Sequence, residues 1–335
     1  MESLFALTLM IVFLAFMFDF INGFHDTANT IATSVSTRAL RPRAAIILAG
    51  TMNFLGAILF TGVAQTISKG VIDPFSIKDE TTGLIIVMSA LISAIIWNLA
   101  TWFLGVPSSS SHAIIGSLAG AGISALGFGA LNYKGFIEIF EALIISPIAA
   151  ITVGFIVMKL FTLLFHNFSL VKTNRRFRLL QIFTAALQSF AHGTNDAQKT
   201  MGIITMALVA SHYLTHVEIP MWVRVAAGFA MAMGTSLGGW RIIHTVGSKI
   251  MKIQPINGAA ADLSSAAIIF GFTSIHFPVS TTHVITSSIL GVGSAERVKG
   301  VNWGMALNIV ITWVITLPCT ALIASIVYRL LNWVL

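Results

Sequence analysis

Phe20-Ile21-Asn22-Gly23-Phe24-His25-Asp26-Thr27-Ala28-Asn29-Thr30 returns later in the chain as Phe190-Ala191-His192-Gly193-Thr194-Asn195-Asp196-Ala197-Gln198-Lys199-Thr200, with Phe, Gly, Asp and Thr matched at a constant offset of 170 residues. Pro107-Ser108-Ser109-Ser110-Ser111-His112 returns as Pro278-Val279-Ser280-Thr281-Thr282-His283 at an offset of 171. Gly120-Ala121-Gly122 then aligns with Gly291-Val292-Gly293. Two motifs repeated in the same order at nearly one offset mark an internal duplication, a pattern common among membrane transporters.

The surroundings of both copies are apolar. Of 335 residues, 56% are hydrophobic and only 9% are charged, against about 25% charged in an average soluble domain. Too few charges are present to cover a water-soluble fold, which excludes a soluble enzyme, a nucleic-acid module and a disordered chain. The net charge of +7 then reads as loop bias at a membrane and not as affinity for nucleic acid. Apolar segments fall at 4–22, 44–65, 83–104, 112–129, 137–163, 179–191, 197–211, 222–245, 258–276, 284–294 and 304–333. Long charge-free runs such as Leu84–Leu104 suit spanning helices of about 20 residues; a β-barrel would show short alternating segments. The single Cys319 excludes an intramolecular disulfide framework. Met1-Glu2-Ser3 has no basic leader and reads as the start of the first span.

These features predict an all-α polytopic membrane protein with about ten to twelve transmembrane segments, arranged as two inverted repeats with interrupted helices and helical hairpins. The first repeat occupies 1–165, the second 179–335, and 166–178 is a cytoplasmic linker. Orientation follows from charge. If each Asp motif interrupts one crossing and each Ser/Thr-His motif turns a hairpin, the loops at 38–43, 164–178, 246–257 and 294–303 share one side. They carry eleven basic residues, against four (Lys69, Lys78, Lys134 and Arg329) on the other. The richer side is then cytoplasmic, both termini are outside, and each half holds an odd number of crossings. Inverted halves with broken helices characterise secondary transporters, because exchanging the two conformations exchanges the open side.

Asp26 and Asp196 carry the chemistry. A carboxylate in mid-bilayer costs about 2.5–3.5 kcal/mol on insertion scales. Each Asp could cap the helix that follows it. The duplication, the flanking Gly23 and Gly193, and the polar neighbours Asn22, His25, Asn29, Asn195 and Gln198 favour a shared ion or substrate site. Glycine there is expected to break the helix, freeing carbonyls for a cation and N–H groups for an anion. Ser108–Ser111 and Ser280–Thr282 supply hydroxyls, which suit an oxyanion or a sodium ion; the plainer role is close helix packing. His112 and His283 read as helix–helix hydrogen bonders. Lys199 either attracts an anion or neutralises Asp196. Asp262 and Asn53 are further polar candidates. With no cysteine pair or tight histidine cluster, no zinc site is expected.

At these motifs the sequence resembles the inorganic phosphate transporter (PiT) family, compact bacterial type. The resemblance rests on Asn22–Asn29, Gly193–Asp196 and Pro278–His283, extends to Ile95–Leu99 and Gly239–Arg241, and spans essentially the whole chain. It implies symport of inorganic phosphate, free or as a metal–phosphate complex, with sodium ions or protons, by alternating access at a site built from both repeats. It places the cation, sodium included, at Asp26, Asn29, Asn195 and Asp196. Phosphate falls to Thr27, Ser109, Ser110, Ser111, Gln198, Ser280, Thr281 and Thr282. It implies no cofactor and no catalysis, a multi-pass location in the cell membrane, and a homodimer. His25 and Asn53 stand where sodium-coupled relatives often carry Asn and Glu, which leaves the coupling ion open. A sulfate or thiosulfate permease of the same architecture is the nearer rival. An anion channel is a more distant one, and an intramembrane acid–base enzyme has no protease motif behind it.

Overall fold

The computed structural model describes residues 2–72, 77, 79–167 and 170–335. Met1 and Lys78, used above for the amino terminus and the outer loops, lie outside them. The described chain is helical throughout: α1 (Glu2–His25), α2 (Thr27–Ser36), α3 (Pro42–Leu59), α4 (Gly62–Gly70), α5 (Glu80–Leu104), α6 (Ser110–Leu126), α7 (Tyr133–Phe165), α8 (Leu170–Ala210), α9 (Met221–Leu237), α10 (Trp240–His244), α11 (Pro255–Ser274), α12 (Thr281–Arg297) and α13 (Trp303–Val334). Six stretches among the described residues are long and apolar enough to cross a membrane: Leu4–Ser36, α3, α5, α7, α11 and α13. Phe13, Ile47, Phe103, Leu163, Val314 and Leu322 stand exposed on their outer faces, as apolar side chains do when lipid is the solvent.

Local chemistry sets the helix ends. Asp79 opens α5 by accepting from the Thr82 amide at 2.8 Å and its hydroxyl at 2.5 Å, as an N-cap does. Those two donors hold its carboxyl below the usual carboxylate range. Gly105, at φ +68°, closes α5 by returning its N–H to the Thr101 and Trp102 carbonyls, a left-handed position that glycine takes without strain. Ser109 and Ser280 cap α6 and α12 through the His112 and His283 amides. Asn132 and Asn302 cap α7 and α13 in the same way. The hairpins expected at the two Ser/Thr motifs are therefore present, as α5 turning into α6 and α11 turning into α12.

Of the two helix interruptions expected at the Asp motifs, only the first is present, and it is slight. At Asp26 the break is a single residue in right-handed conformation, and its side chain makes no cap bond. The Asp26 amide still reaches the Asn22 carbonyl at 2.8 Å, and the Asn29 amide the Asp26 carbonyl at 3.0 Å. In the second half α8 runs through Gly193 and Asp196 without a break. The glycines serve packing instead. A Cβ on Gly193 would lie 2.6 Å from the Asn53 Cα, and one on Gly23 would lie 2.9 Å from the Thr235 nitrogen. Backbones thus touch where α8 crosses α3 and where α1 crosses α9, as small residues allow between membrane helices.

These crossings have a reciprocal pattern. α1 packs on α9 and α8 on α3, while α6 packs on α13 and α12 on α7. Gly116 and Gly120 lie against Leu317 and Ala321, and Gly154 and Gly291 mediate the matching contact of α7 with α12. Each half leans on the other, and the two Asp motifs meet in the middle.

Gly193→Ala is expected to lower the thermal unfolding temperature in detergent, at a cost of about 1–3 kcal/mol for overpacking. Gly271→Ala, where an added Cβ meets nothing within 4 Å, is expected to be neutral or to gain up to about 1 kcal/mol of helix propensity. Equal effects at both positions would contradict the packing role of Gly193.

Candidate ion and substrate site

Asp26 sits at the end of α1 and is 1% exposed. His25 Nδ1 lies 2.6 Å from its Oδ1, and the other ring nitrogen reaches Thr101 Oγ1 on α5 at 3.1 Å. Ser110 donates to Oδ2 at 2.5 Å and Thr282 to Oδ1 at 3.1 Å. Asn29 donates to the same Thr282 hydroxyl at 3.0 Å. One carboxylate therefore gathers α1, α2, α5, α6 and α12.

Asp196, on α8, is fully buried. Lys199 Nζ stands 2.7 Å from its Oδ1 and His192 Nε2 3.3 Å from its Oδ2. Thr281 donates to Oδ2 at 3.1 Å and Asn22 at 3.4 Å. His25 and His192 occupy non-equivalent places in the repeat, yet each meets the Asp of its own half. His192 does so because side chains four residues apart share a helix face.

Ser110 joins the two groups. It donates to Asp26 and accepts from Lys199 Nζ at 3.2 Å. Lys199 is one of the largest fully buried side chains in the protein, and its charge is committed to Asp196 and Ser110. Around this link the first turns of α6 and α12 converge. Ser111 donates to the Val279 carbonyl at 2.8 Å, and the His112 and His283 rings lie 4.4 Å apart. Two helix N-termini, with unpaired N–H groups and positive dipole ends, thus face the carboxylates together with hydroxyls. α2 also begins beside Asp26, whereas α8 has no break to provide a further terminus.

The other expected ligands sit further off. Ser109 and Ser280 are the caps of α6 and α12. Thr27 accepts from Asn53 at 3.0 Å and Thr235 at 3.2 Å. Asn195 turns to Thr273 at 2.9 Å and to the Val279 amide. Gln198 accepts from the Ala64 amide at 3.0 Å and donates to the Thr194 carbonyl. Asp26, Asn29, Asp196, Ser110, Thr281 and Thr282 form one cluster; Thr27, Asn195, Gln198 and Ser111 surround it.

A second polar group lies nearby. Asp262 accepts from Thr33 at 2.6 Å and Thr184 at 3.3 Å. Gln188, with its amide oriented to suit its neighbours, donates to Asp262 at 2.9 Å and to the Thr30 carbonyl at 3.0 Å. Gln188 belongs to neither repeated motif, so only its place in a predicted span marks it. Asp19, on α1, is likewise outside the motifs: Ser189 stands at the matching position of the second half.

Lipid-facing helices enclosing paired carboxylates, a lysine and two helix N-termini define a membrane protein built to handle charged solutes. Residues 22–324 match the phosphate transporter family, and the chain belongs to that family. Its relatives include a "Probable low-affinity inorganic phosphate transporter" of Bacillus subtilis (strain 168), 62% identical over the whole of both chains. A protein of the same description from Rhizobium meliloti (strain 1021) is 44% identical over 97% of this chain and 96% of its own. A solved structure titled "The sodium-dependent phosphate transporter" is similar at a TM-score of 0.91 and 28% identity, covering 98% of this chain and all of that one. The family comprises transporters and not enzymes.

Breaking the buried Lys199–Asp196 pair leaves an uncompensated charge. Asp196→Asn alone is expected to destabilise the protein by about 3–5 kcal/mol, and the double variant with Lys199→Met to recover most of that loss. Thermal unfolding of the purified variants reads the difference. A double variant no more stable than Asp196→Asn would show that the pair is not what holds Lys199.

Proposed function

We propose that this protein imports inorganic phosphate, free or as a metal complex, by symport with a cation, sodium or proton, through alternating access at one site built by both halves. The observation that carries this reading is Ser110, which touches Asp26 of the first motif and Lys199 of the second at once. The hydroxyls of Ser110, Thr281 and Thr282 and the N-termini of α6 and α12 form the oxyanion cradle. Asp26, Asn29 and Asp196 take the cation, with Asn195 behind them.

Coulomb repulsion supplies the coupling. Phosphate beside two carboxylates in a poorly screened interior is repelled. Asp196 is offset by Lys199, whereas Asp26 has a histidine and hydroxyls but no fixed cation. A bound cation removes that repulsion, so phosphate enters well only with its partner. Both carboxylates are closed to solvent, as befits the closed intermediate of such a cycle.

Inverted repeats, 1–165 and 179–335 joined by 166–178, fit the reciprocal packing of α1 on α9 and α8 on α3. The more basic loops face the cytoplasm of a cell membrane crossed about ten times, which leaves both termini outside.

Purified protein in liposomes is expected to concentrate labelled phosphate under a sodium or a proton gradient and to resist competition by sulfate. Asp26→Asn is expected to abolish that uptake while the protein keeps its size-exclusion profile. Full transport by Asp26→Asn would sink the proposed site, and uptake of labelled sulfate in place of phosphate would point to the permease reading.

A further inference from the structure

Asp19 is fully buried and makes no ion pair; the side chains nearest its carboxyl are the neutral Thr200 and Asn22. It lies on α1 one turn before Asn22, which donates to Asp196. The Asn22 side-chain oxygen and both amide atoms of Asn98 are also buried without partners. Asn98 lies on α5, one turn before the Thr101 that meets His25, and Thr200 lies on α8; both helices pack against α1. The charged groups that act on Asp19 are Asp196 and Lys199, both on α8.

Each other ionisable group of the cluster is already engaged. Asp26 has His25, Ser110 and Thr282; Asp196 has Lys199, His192 and Thr281. A carboxylate buried in a membrane interior with only neutral groups against it is strongly disfavoured, whereas the neutral acid is tolerated. Asp19 and Asp262 can each gain or lose a proton without breaking an ion pair, and of the two it is Asp19 on which the charges of Asp196 and Lys199 act.

We propose that Asp19 binds the coupling proton, which makes this transporter a proton–phosphate symporter. The inference rests on the symport reading above, names the proton as its cation, and moves the coupling site from Asp26, Asn29 and Asp196 to Asp19. With the site open outward, the Asp19 carboxylate takes a proton from water, forming one O–H bond. The neutral acid lets the site close around phosphate, because a third negative charge near Asp196 would otherwise be enclosed with it. When the site opens inward, the O–H bond breaks, the proton passes to cytoplasmic water, and the carboxylate is restored for the next cycle.

Two assays on the same liposomes separate the possibilities. One is net phosphate accumulation driven by a pH gradient; the other is exchange of labelled for unlabelled phosphate with no gradient. Exchange needs no deprotonation, since the loaded carrier only shuttles. In Asp19→Asn, a neutral stand-in for the protonated acid, accumulation is expected to fall to the level of protein-free liposomes while exchange persists. In Asp19→Glu, accumulation is expected to return with a displaced pH profile.

Accumulation by Asp19→Asn under a pH gradient would overturn the proposal. So would loss of exchange along with accumulation in Asp19→Asn protein of normal size-exclusion profile, which would make Asp19 a structural or phosphate-site residue. If Asp19→Asn does not fold, an unshifted pH profile in Asp19→Glu would count equally against it. Accumulation by the wild type under a sodium gradient alone would overturn the proton assignment and leave phosphate symport standing. Absence of both phosphate exchange and accumulation in the wild type would instead overturn the transport reading itself.

Discussion

Placing Asp26 and Asp196 inside a lipid-bounded helical fold is the constraint to which the rest of the structure answers. A buried carboxylate is stable only where donors and counter-charges surround it. Those partners come from α1, α6, α8 and α12, with Asn29 of α2 and Thr101 of α5 one bond behind them, so the carboxylates tie together segments far apart in the chain. The same donors that make burial tolerable, the hydroxyls of Ser110, Thr281 and Thr282, are the groups suited to hold an oxyanion. In the proposed cycle, stability of the closed form and recognition of phosphate therefore draw on one set of atoms.

The two carboxylates are not equivalent, although their motifs are copies. Lys199 gives Asp196 a permanent counter-charge, whereas its first-half counterpart at the repeat offset is Asn29. A duplicated scaffold thus carries an asymmetric charge distribution. In the proposed cycle the side bearing Lys199 stays neutralised, and the first half, with Asp26 and Asp19, responds to cations. Close helix crossings at Gly23 and Gly193 support this division of labour, since backbones in contact transmit the position of one half to the other.

Much of this was legible in the sequence. Composition alone required membrane helices, and the repeated motifs marked Asp26, Asp196, Ser110, Thr281 and Thr282 as neighbours before any coordinates. Their juxtaposition follows from the fold bringing equivalent turns to one centre. That α8 stays whole where the first half breaks at Asp26 was not legible, because glycine beside a polar residue reads identically whether it frees the backbone or lets another helix approach. At Gly193 the approach of Asn53 decides the matter, and α8 stays continuous. Asp19 and Gln188 were hidden for a different reason. They have no repeated partner, and their importance arises from what lies across the helix interface. The positions of Asn195 and Gln198 were likewise set by tertiary contacts, to Thr273 and to the Ala64 amide.

The central claim is that one phosphate is held by residues of both halves. Equilibrium binding of labelled phosphate to the purified protein, at fixed pH and salt, tests it in Ser110→Ala and Thr282→Ala. Both substitutions remove a hydroxyl from the shared cradle, and each is expected to weaken phosphate binding by about tenfold, the loss of roughly one charge-assisted hydrogen bond. Normal affinity in either variant would show that the substrate is held by one half alone.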